Sequence, residues 1–304
     1  MKTSQTLPLS RRGFLIAGSA SLVTLGACQH KATALLPAKK IDQIGIQTYT
    51  LRDAFAEDFV GTFEMIKELG YDYVELNSRN LEAHSPEELR KILDGLGLPA
   101  PATHVSYEGL ATEPEKTGDM VAKLGSRYAI LPWVGDDQRT AEAYKRHAEM
   151  LNKASEAMKR SGVRAAYHNH QFEFFDLGNG LTGMDILLSE TDPDLVDMEL
   201  DIFWAALAGV SIPDLFADNP GRFKLCHVKD MKGDGSPYRT SLDFATIVGD
   251  VMANVGEGDV DFASLFKLND ISGLEYFIIE HDNPPKPYRQ AMQTSLTNLR
   301  ALRF

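Results

Sequence analysis

RAAYHNHQFEFFDLGNGLTGMDILLSETDPDLVDMELD, residues 164–201, carries the fold in miniature. Arg164 to His168 is a short β-type run, Leu181 to Glu190 an amphipathic helical stretch, and Val196 to Asp201 a second β-type run. A strand, a helix and a strand in that order are the unit from which parallel sheets are built. The alternation extends both ways along the chain. Further strands are predicted at Ile44 to Thr48, Tyr73 to Leu76, Ala102 to Val105, Tyr128 to Pro132, Phe223 to Val228 and Tyr276 to Glu280. Helical patterns follow at Phe59 to Leu69, Pro86 to Leu96, Pro114 to Leu124, Thr140 to Ser161, Ile212 to Asp218, Phe262 to Leu268 and Tyr288 to Leu302. Gly70, Gly97, Gly125, Gly162 and Gly273 stand where helices end and a left-handed residue is needed. Eight such units make a closed (β/α)8 TIM barrel the economical solution. A doubly wound open sheet competes, but it calls for a Gly-x-Gly-x-x-Gly turn after a strand. The stretch Gly256-Glu257-Gly258 precedes a helix with no strand before it.

Composition narrows the classes further. The chain has 304 residues, 31 Lys plus Arg against 43 Asp plus Glu, a net charge of -12 and two cysteines. With no long basic run, it lacks the electrostatic footprint of nucleic-acid binding. Two cysteines cannot frame a disulfide scaffold. Length alone would allow two domains; one barrel of ~250 residues accommodates it equally well.

The N-terminus reads as a targeting segment. Lys2, Arg11 and Arg12 are basic, Phe14 to Leu25 is a short apolar and small-residue run, and no acidic residue precedes Asp42. Ser10-Arg11-Arg12-Gly13-Phe14-Leu15 resembles a twin-arginine export signal. Leu25-Gly26-Ala27-Cys28 resembles a lipobox, in which Cys28 is lipidated. The predicted organisation is a signal peptide over 1–27, a tether over 28–40 and the barrel over 41–304. The expected location is the periplasmic side of a membrane, as an exported lipoprotein held only by its lipid anchor. The chain's acidity then belongs wholly to the barrel.

Function is read at the strand ends, because in a barrel the C-terminal ends of the strands converge on the site. These ends carry Gln47, Glu75, His104, Trp133, His168 with Asn169 and His170, Asp201, His227 with Lys229 and Asp230, and Glu280 with His281 and Asp282. A buried carboxylate or imidazole is costly unless paired or metal-bound. His168, Asp201, His227 and Glu280 form a converging N/O set suited to one divalent ion of Mn, Zn, Co or Fe character rather than Ca. The competing arrangement is a ring of buried salt bridges using Arg164, Lys224 or Lys229.

Several of these residues fall in longer motifs. Ile46-Gln47-Thr48-Tyr49-Thr50-Leu51-Arg52-Asp53, Tyr167-His168-Asn169-His170, Glu199-Leu200-Asp201-Ile202-Phe203-Trp204, His227-Val228-Lys229-Asp230, Gly256-Glu257-Gly258 and Ile279-Glu280-His281-Asp282-Asn283-Pro284-Pro285 occur in order. Together they resemble the xylose-isomerase-like barrel superfamily, and more closely its exported sugar phosphate isomerase/epimerase members. The resemblance implies a metal held by Glu, Asp, His and Glu from strands five to eight, with both glutamates moving protons. Asp201, His227 and Glu280 match the last three positions. His168 stands at the first, which removes one carboxylate base; Asn169, His170 and Glu173 are the neighbours able to supply another group.

The chemistry implied is proton abstraction next to a carbonyl, with metal-assisted stabilisation of the enediolate. The substrate is a small sugar or keto-sugar. Glu280 is the expected base, with Lys229 and His168 as its catalytic partners. Lys229 either stabilises developing negative charge or forms a rim ion pair with Asp230 or Glu257. His104 and Glu75 are expected to contact sugar hydroxyls with Gln47 behind them, alongside His170, while Trp133 and Trp204 offer apolar platforms. His30, His84 and His147 are assigned no role, and Cys226 is expected to be a buried thiol. Isomerisation or epimerisation is the leading outcome. Elimination from a 3-keto-glycoside, or the reverse hydration, competes, and a noncatalytic sugar-binding lipoprotein is the alternative of another class. An apurinic-site endonuclease is disfavoured by charge and by export. The oligomeric state, monomer or homo-oligomer, is left open.

Overall fold

A computed structural model describes residues Ala38–Phe304. The leader, Cys28, His30 and most of the tether lie outside the described residues. Eight strands form the barrel: β1 (Gly45–Gln47), β2 (Tyr73–Leu76), β3 (Ala102–His104), β4 (Tyr128–Leu131), β5 (Arg164–His168), β6 (Val196–Asp201), β7 (Phe223–Val228) and β8 (Tyr276–Ile279). Each pairs in parallel with its sequence neighbours, and β8 returns to pair with β1, so the sheet closes. The predicted strands are all present, within one residue or so at each end.

Closure gives the strands two distinct faces. Tyr73, Ala102, Tyr128, Ile130, Ala166, Leu225 and Ile278 pack into a small apolar cluster of their own. Residues of opposite parity, such as Val74, Ala129, Ala165, Tyr167 and Cys226, join the much larger cluster shared with the helices. Side chains alternate across a strand, so the first cluster fills the barrel and the second forms the shell around it. Continuing the inward parity to the strand ends gives Gln47, Glu75, His104, His168, Glu199, Asp201 and His227. A polar layer therefore rests on an apolar plug. Lateral register holds that layer together, with Gln47 beside Glu75, His168 beside Glu199, and Asp201 beside His227. The register between β6 and β7 shifts between Met198 and Glu199, so that Lys224 has no partner of its own; such a bulge re-aims the side chains beyond it.

Helices return the chain after the strands: α1 (Phe59–Leu69), α2 (Pro86–Leu96), α3 (Pro114–Lys123), α4 (Ala141–Met158), α5 (Gly183–Glu190), α6 (Ile212–Asp218), α7 (Phe262–Phe266) and α8 (Tyr288–Ala301). α2 shows local chemistry fixing an element: Ser85 and Glu88 form a reciprocal capping box, Pro86 opens the first turn, and Gly97 closes the helix at φ 60°. The sequence reading lacks the short helices of the βα loops, Arg52–Glu57, Ser78–Ala83, Tyr107–Thr112, Ile202–Ala208 and Phe244–Val251. Stretches of six to eight residues are too brief for a helical period to stand out. After β7, Asp230–Met231 pairs antiparallel with Met252–Ala253 and ties off an excursion that contains Phe244–Val251. Among the described residues no helix is long and apolar enough to cross a membrane.

The inward face admits no extra atom at Gly45, where a Cβ would lie 2.1 Å from the Tyr73 ring. That ring cannot swing away, because its hydroxyl donates to the Phe277 carbonyl at 3.0 Å and accepts from the Phe277 amide at 2.8 Å. Gly45→Ala is therefore expected to cost about 2 kcal/mol of unfolding free energy, read as a lowered urea midpoint.

Beyond β5, Glu173 is fully buried and accepts from Tyr167 Oη at 2.6 Å and the His170 amide at 2.7 Å. Burial outweighs both donors and pushes its carboxyl up to about 8. The unfolded carboxyl titrates near ~4.3. The folded state thus binds the extra proton between those values, and this group's contribution to stability falls as pH rises through the window. Glu173→Gln should flatten that slope, so that the variant gains on wild type by about 2 to 3 kcal/mol from pH 5 to pH 8; parallel urea titrations at the two pH values measure it.

Candidate metal centre and cavity

The polar layer is a knot of buried charges. Glu75 Oε2 lies 2.6 Å from Gln47 Nε2, 2.6 Å from His227 Nε2 and 3.3 Å from His104 Nε2. Glu199 Oε2 lies 3.0 Å from His104 Nε2, 3.1 Å from His168 Nδ1 and 3.3 Å from His227 Nε2. Nearer the strand ends, His227 Nδ1 is 2.6 Å from Glu280 Oε2 and 3.9 Å from Asp201 Oδ2, and His168 Nε2 is 3.8 Å from Asp201 Oδ2. Lys229 Nζ meets Glu280 at 2.7 Å, Asp201 at 3.0 Å and Asp282 at 3.2 Å. Glu75, Glu199, Asp201 and His227 are wholly buried.

Charge partners set the protonation states. Burial works against a cation at His227, but Glu199, Glu280 and Glu75 outweigh it and hold the imidazole well above its ordinary value. His104 is likewise pushed up to about 9, against burial, by Glu75 and Glu199. His168 goes the other way, down to about 3, through burial and the neighbouring His227. Burial raises Asp201 to about 6 against the pull of Lys229. Glu280 stays ionised, held well below the usual carboxylate range by Lys229 and His227 despite burial.

His168, Asp201, His227 and Glu280 each offer one ligand atom, and the four atoms lie within 4.8 Å of one another. A second set, His104, His168, Glu199 and His227, meets the same limit. Two ligand atoms of the first set, Asp201 Oδ2 and His227 Nδ1, are buried without a hydrogen bond despite their close neighbours. Atoms drawn together without hydrogen-bond geometry, in a mixed N/O set, fit a shared divalent cation.

A cavity of about 500 Å³ opens above this layer. His104, His168, His170, Lys229 and Glu280 line it, together with Trp133, Trp204 and Asp282. His170 packs between the two indoles, its ring centroid 4.9 Å from Trp133 and 5.5 Å from Trp204. Phe244, Ala245 and Val248 complete that aromatic side from the excursion after β7, and Tyr49, Arg52 and Arg79 also line the cavity. The two guanidiniums stand over the Tyr49 ring at 4.5 and 5.5 Å.

The placement departs from the sequence reading in several respects. Glu75 and Gln47 are wholly buried and do not line the cavity; Glu75 pairs with both Gln47 and His227. Lys229 pairs with Asp201, Glu280 and Asp282, and not with Asp230 or Glu257. Asp230 instead accepts from the amides of Gly256, Gly258 and Val260, which is the use of the glycine-rich stretch. Arg164 and Lys224 do form ion pairs, with Asp197 at 2.6 Å and Glu275 at 3.4 Å, but outside the strand-end layer. Of the three neighbours able to replace a missing carboxylate, Asn169 is spent pinning the Asp201 backbone, Glu173 is tied to Tyr167 and the His170 amide, and His170 alone lines the cavity. His84 packs on Phe59 and His147 bonds the Gln138 carbonyl. Cys226 is a free thiol on the outward face of β7, buried and hence pushed up in pKa. The residue missed is Glu199: it sits two positions before Asp201, and the alternation of β6 alone aims both inward.

A family model described as the xylose isomerase-like TIM barrel matches residues 63–300. An inosose dehydratase of Geobacillus kaustophilus is 26% identical over 271 residues, which is 79% of this chain and 86% of that protein. A sugar phosphate isomerase/epimerase from Parabacteroides distasonis superposes with a TM-score of 0.69 at 22% identity, covering 89% of this chain and 96% of its own. The IOLI protein, whose crystal structure holds a zinc atom, does so with a TM-score of 0.65 at 18% identity, covering 84% and 96%. A closed parallel barrel, a polar layer at its strand ends and a family model spanning most of the chain agree: the protein belongs to the xylose isomerase-like TIM barrel family.

Proposed function

We propose that this chain is a divalent-metal-dependent carbon–oxygen lyase acting on a small cyclic keto-sugar or keto-polyol. One observation carries the reading. Glu280 is the only carboxylate of its ligand set that lines the cavity, and His104, which is charged at neutral pH, lines it too. A base and an acid at one cavity are what elimination next to a carbonyl requires. The dehydratase relative supports the same outcome.

His168, Asp201, His227 and Glu280 would hold the metal, whose Lewis acidity lowers the pKa of a C–H bond beside a substrate carbonyl. Glu280 takes the proton from that carbon. Lys229, 2.7 Å from Glu280, balances the negative charge as it develops. His104, its Nε2 held by Glu199 and Glu75, gives its Nδ1 proton to the departing oxygen, so one C–H and one C–O bond break and water or an alcohol leaves an unsaturated ketone. Trp133 and Trp204 pack against the apolar face of the ring.

Isomerisation or epimerisation shares the first step, and one feature favours it. Burial holds His170 neutral, and its Nδ1 is buried without a partner, so it is a second group able to carry a proton at the cavity. The leader adds a further proposal, an exported and lipid-anchored enzyme, for which an unphosphorylated substrate is the natural choice.

Proton NMR in deuterated water with free sugars, 3-keto-sugars and 3-keto-glycosides separates the outcomes: an unsaturated ketone marks elimination, exchange with inversion or carbonyl migration marks the isomerase. No change in any substrate would refute both. Glu280→Gln should slow exchange of the substrate C–H by about 10³-fold, whereas His104→Gln should slow elimination by about 10²-fold and leave exchange within a few-fold. Because His104 acts in its charged form, the elimination rate should fall as pH rises through about 9, a limb absent from His104→Gln. Elemental analysis should find about one divalent ion per chain, and chelation should abolish exchange until metal is restored.

A further inference from the structure

His168 and His227 each belong to both ligand sets, and each meets the carboxylates of the two sets through different ring nitrogens. His168 Nδ1 faces Glu199 and its Nε2 faces Asp201. His227 Nε2 faces Glu75 and Glu199, and its Nδ1 faces Glu280 and Asp201. Metal coordination displaces the extra proton of the His227 imidazolium, so each ligand ring keeps one N–H and offers one lone pair. The two sets therefore cannot both be filled by the same pair of neutral rings.

Hydrogen bonding decides which set takes the cation. His104 Nε2 and His168 Nδ1 of the second set are already bonded to Glu199, while Asp201 Oδ2 and His227 Nδ1 of the first set are buried without a hydrogen bond. Resting on the metal centre proposed above, we infer that Glu199 and Glu75 are positioning residues that fix opposite tautomers in the two ligand histidines. Glu199 accepts a proton from His168 Nδ1, which leaves the Nε2 lone pair facing Asp201. Glu75 accepts a proton from His227 Nε2, which leaves the Nδ1 lone pair facing Glu280. Gln47, donating to Glu75 at 2.6 Å, and His104, 3.0 Å from Glu199, hold the two carboxylates in place. Glu199 and Glu75 thus form a proton-accepting layer behind the metal that orients the ligands and raises their basicity.

The test is nitrogen-15 NMR of histidine-labelled protein loaded with zinc(II). The expected result is a protonated Nδ1 on His168 and a protonated Nε2 on His227 in the same molecule; one shared tautomer would overturn the assignment. Affinity for zinc(II), read by competition with a chromophoric chelator, should fall 10- to 100-fold in Glu199→Gln and in Glu75→Gln. Glu199→Asp should recover part of the loss, and Glu275→Gln, on the surface, should match wild type. Wild-type affinity in folded Glu199→Gln, or two zinc ions per chain, would overturn the inference and leave the metal centre standing. Wild type that binds no zinc would remove the metal centre and this inference together.

Discussion

The barrel is organised around the cost of burying charge. Glu75, Glu199, Asp201 and Glu280 all lose water on folding, and an ionised carboxylate in such a setting is several kcal/mol unfavourable without partners. His104, His227 and Lys229 supply those partners at 2.6 to 3.0 Å. Beneath these contacts Tyr73, Tyr128, Leu225 and Ile278 fill the lower barrel with apolar side chains, and the cavity opens on the other side.

Strand register converts this demand into a site. Each strand can present only alternate residues to the interior, so the polar layer is drawn from a narrow band at the strand ends. The register shift beside Glu199 departs from that regularity, and it falls between the two strands that carry Glu199, Asp201 and His227. The ring pair of His168 and His227, with centroids 4.5 Å apart, makes the layer a connected unit. A change in one side chain there alters the proton inventory of several others, as expected of coupled titrating groups.

Much of this was legible in the sequence because strands and helices of the barrel are long enough to show their period. The strand boundaries, and the convergence of His168, Asp201, His227 and Glu280, follow from pattern and position alone. What escaped has identifiable causes. Glu199 is an interior strand residue, and only knowledge of which parity faces inward separates it from a surface carboxylate. Glu75 stands at a strand end and so reads as a cavity residue, yet its depth depends on the Gln47 and His227 contacts that no linear reading supplies. Phe244 and Val248 belong to an excursion whose helix is short and whose anchoring strands are two residues each.

That excursion has a further meaning. Its two ends are joined by the pairing of Asp230–Met231 with Met252–Ala253, and Asp230 also gathers the amides of Gly256, Gly258 and Val260. The segment between is therefore hung on a closed clasp, not threaded through the barrel. Its inner residues pack on Phe203 and Trp204 just beyond Asp201, while Phe244, Ala245 and Val248 face the cavity. The strand ends thus make the floor of the cavity and one clasped segment makes part of its wall, each carried by a separate stretch of chain.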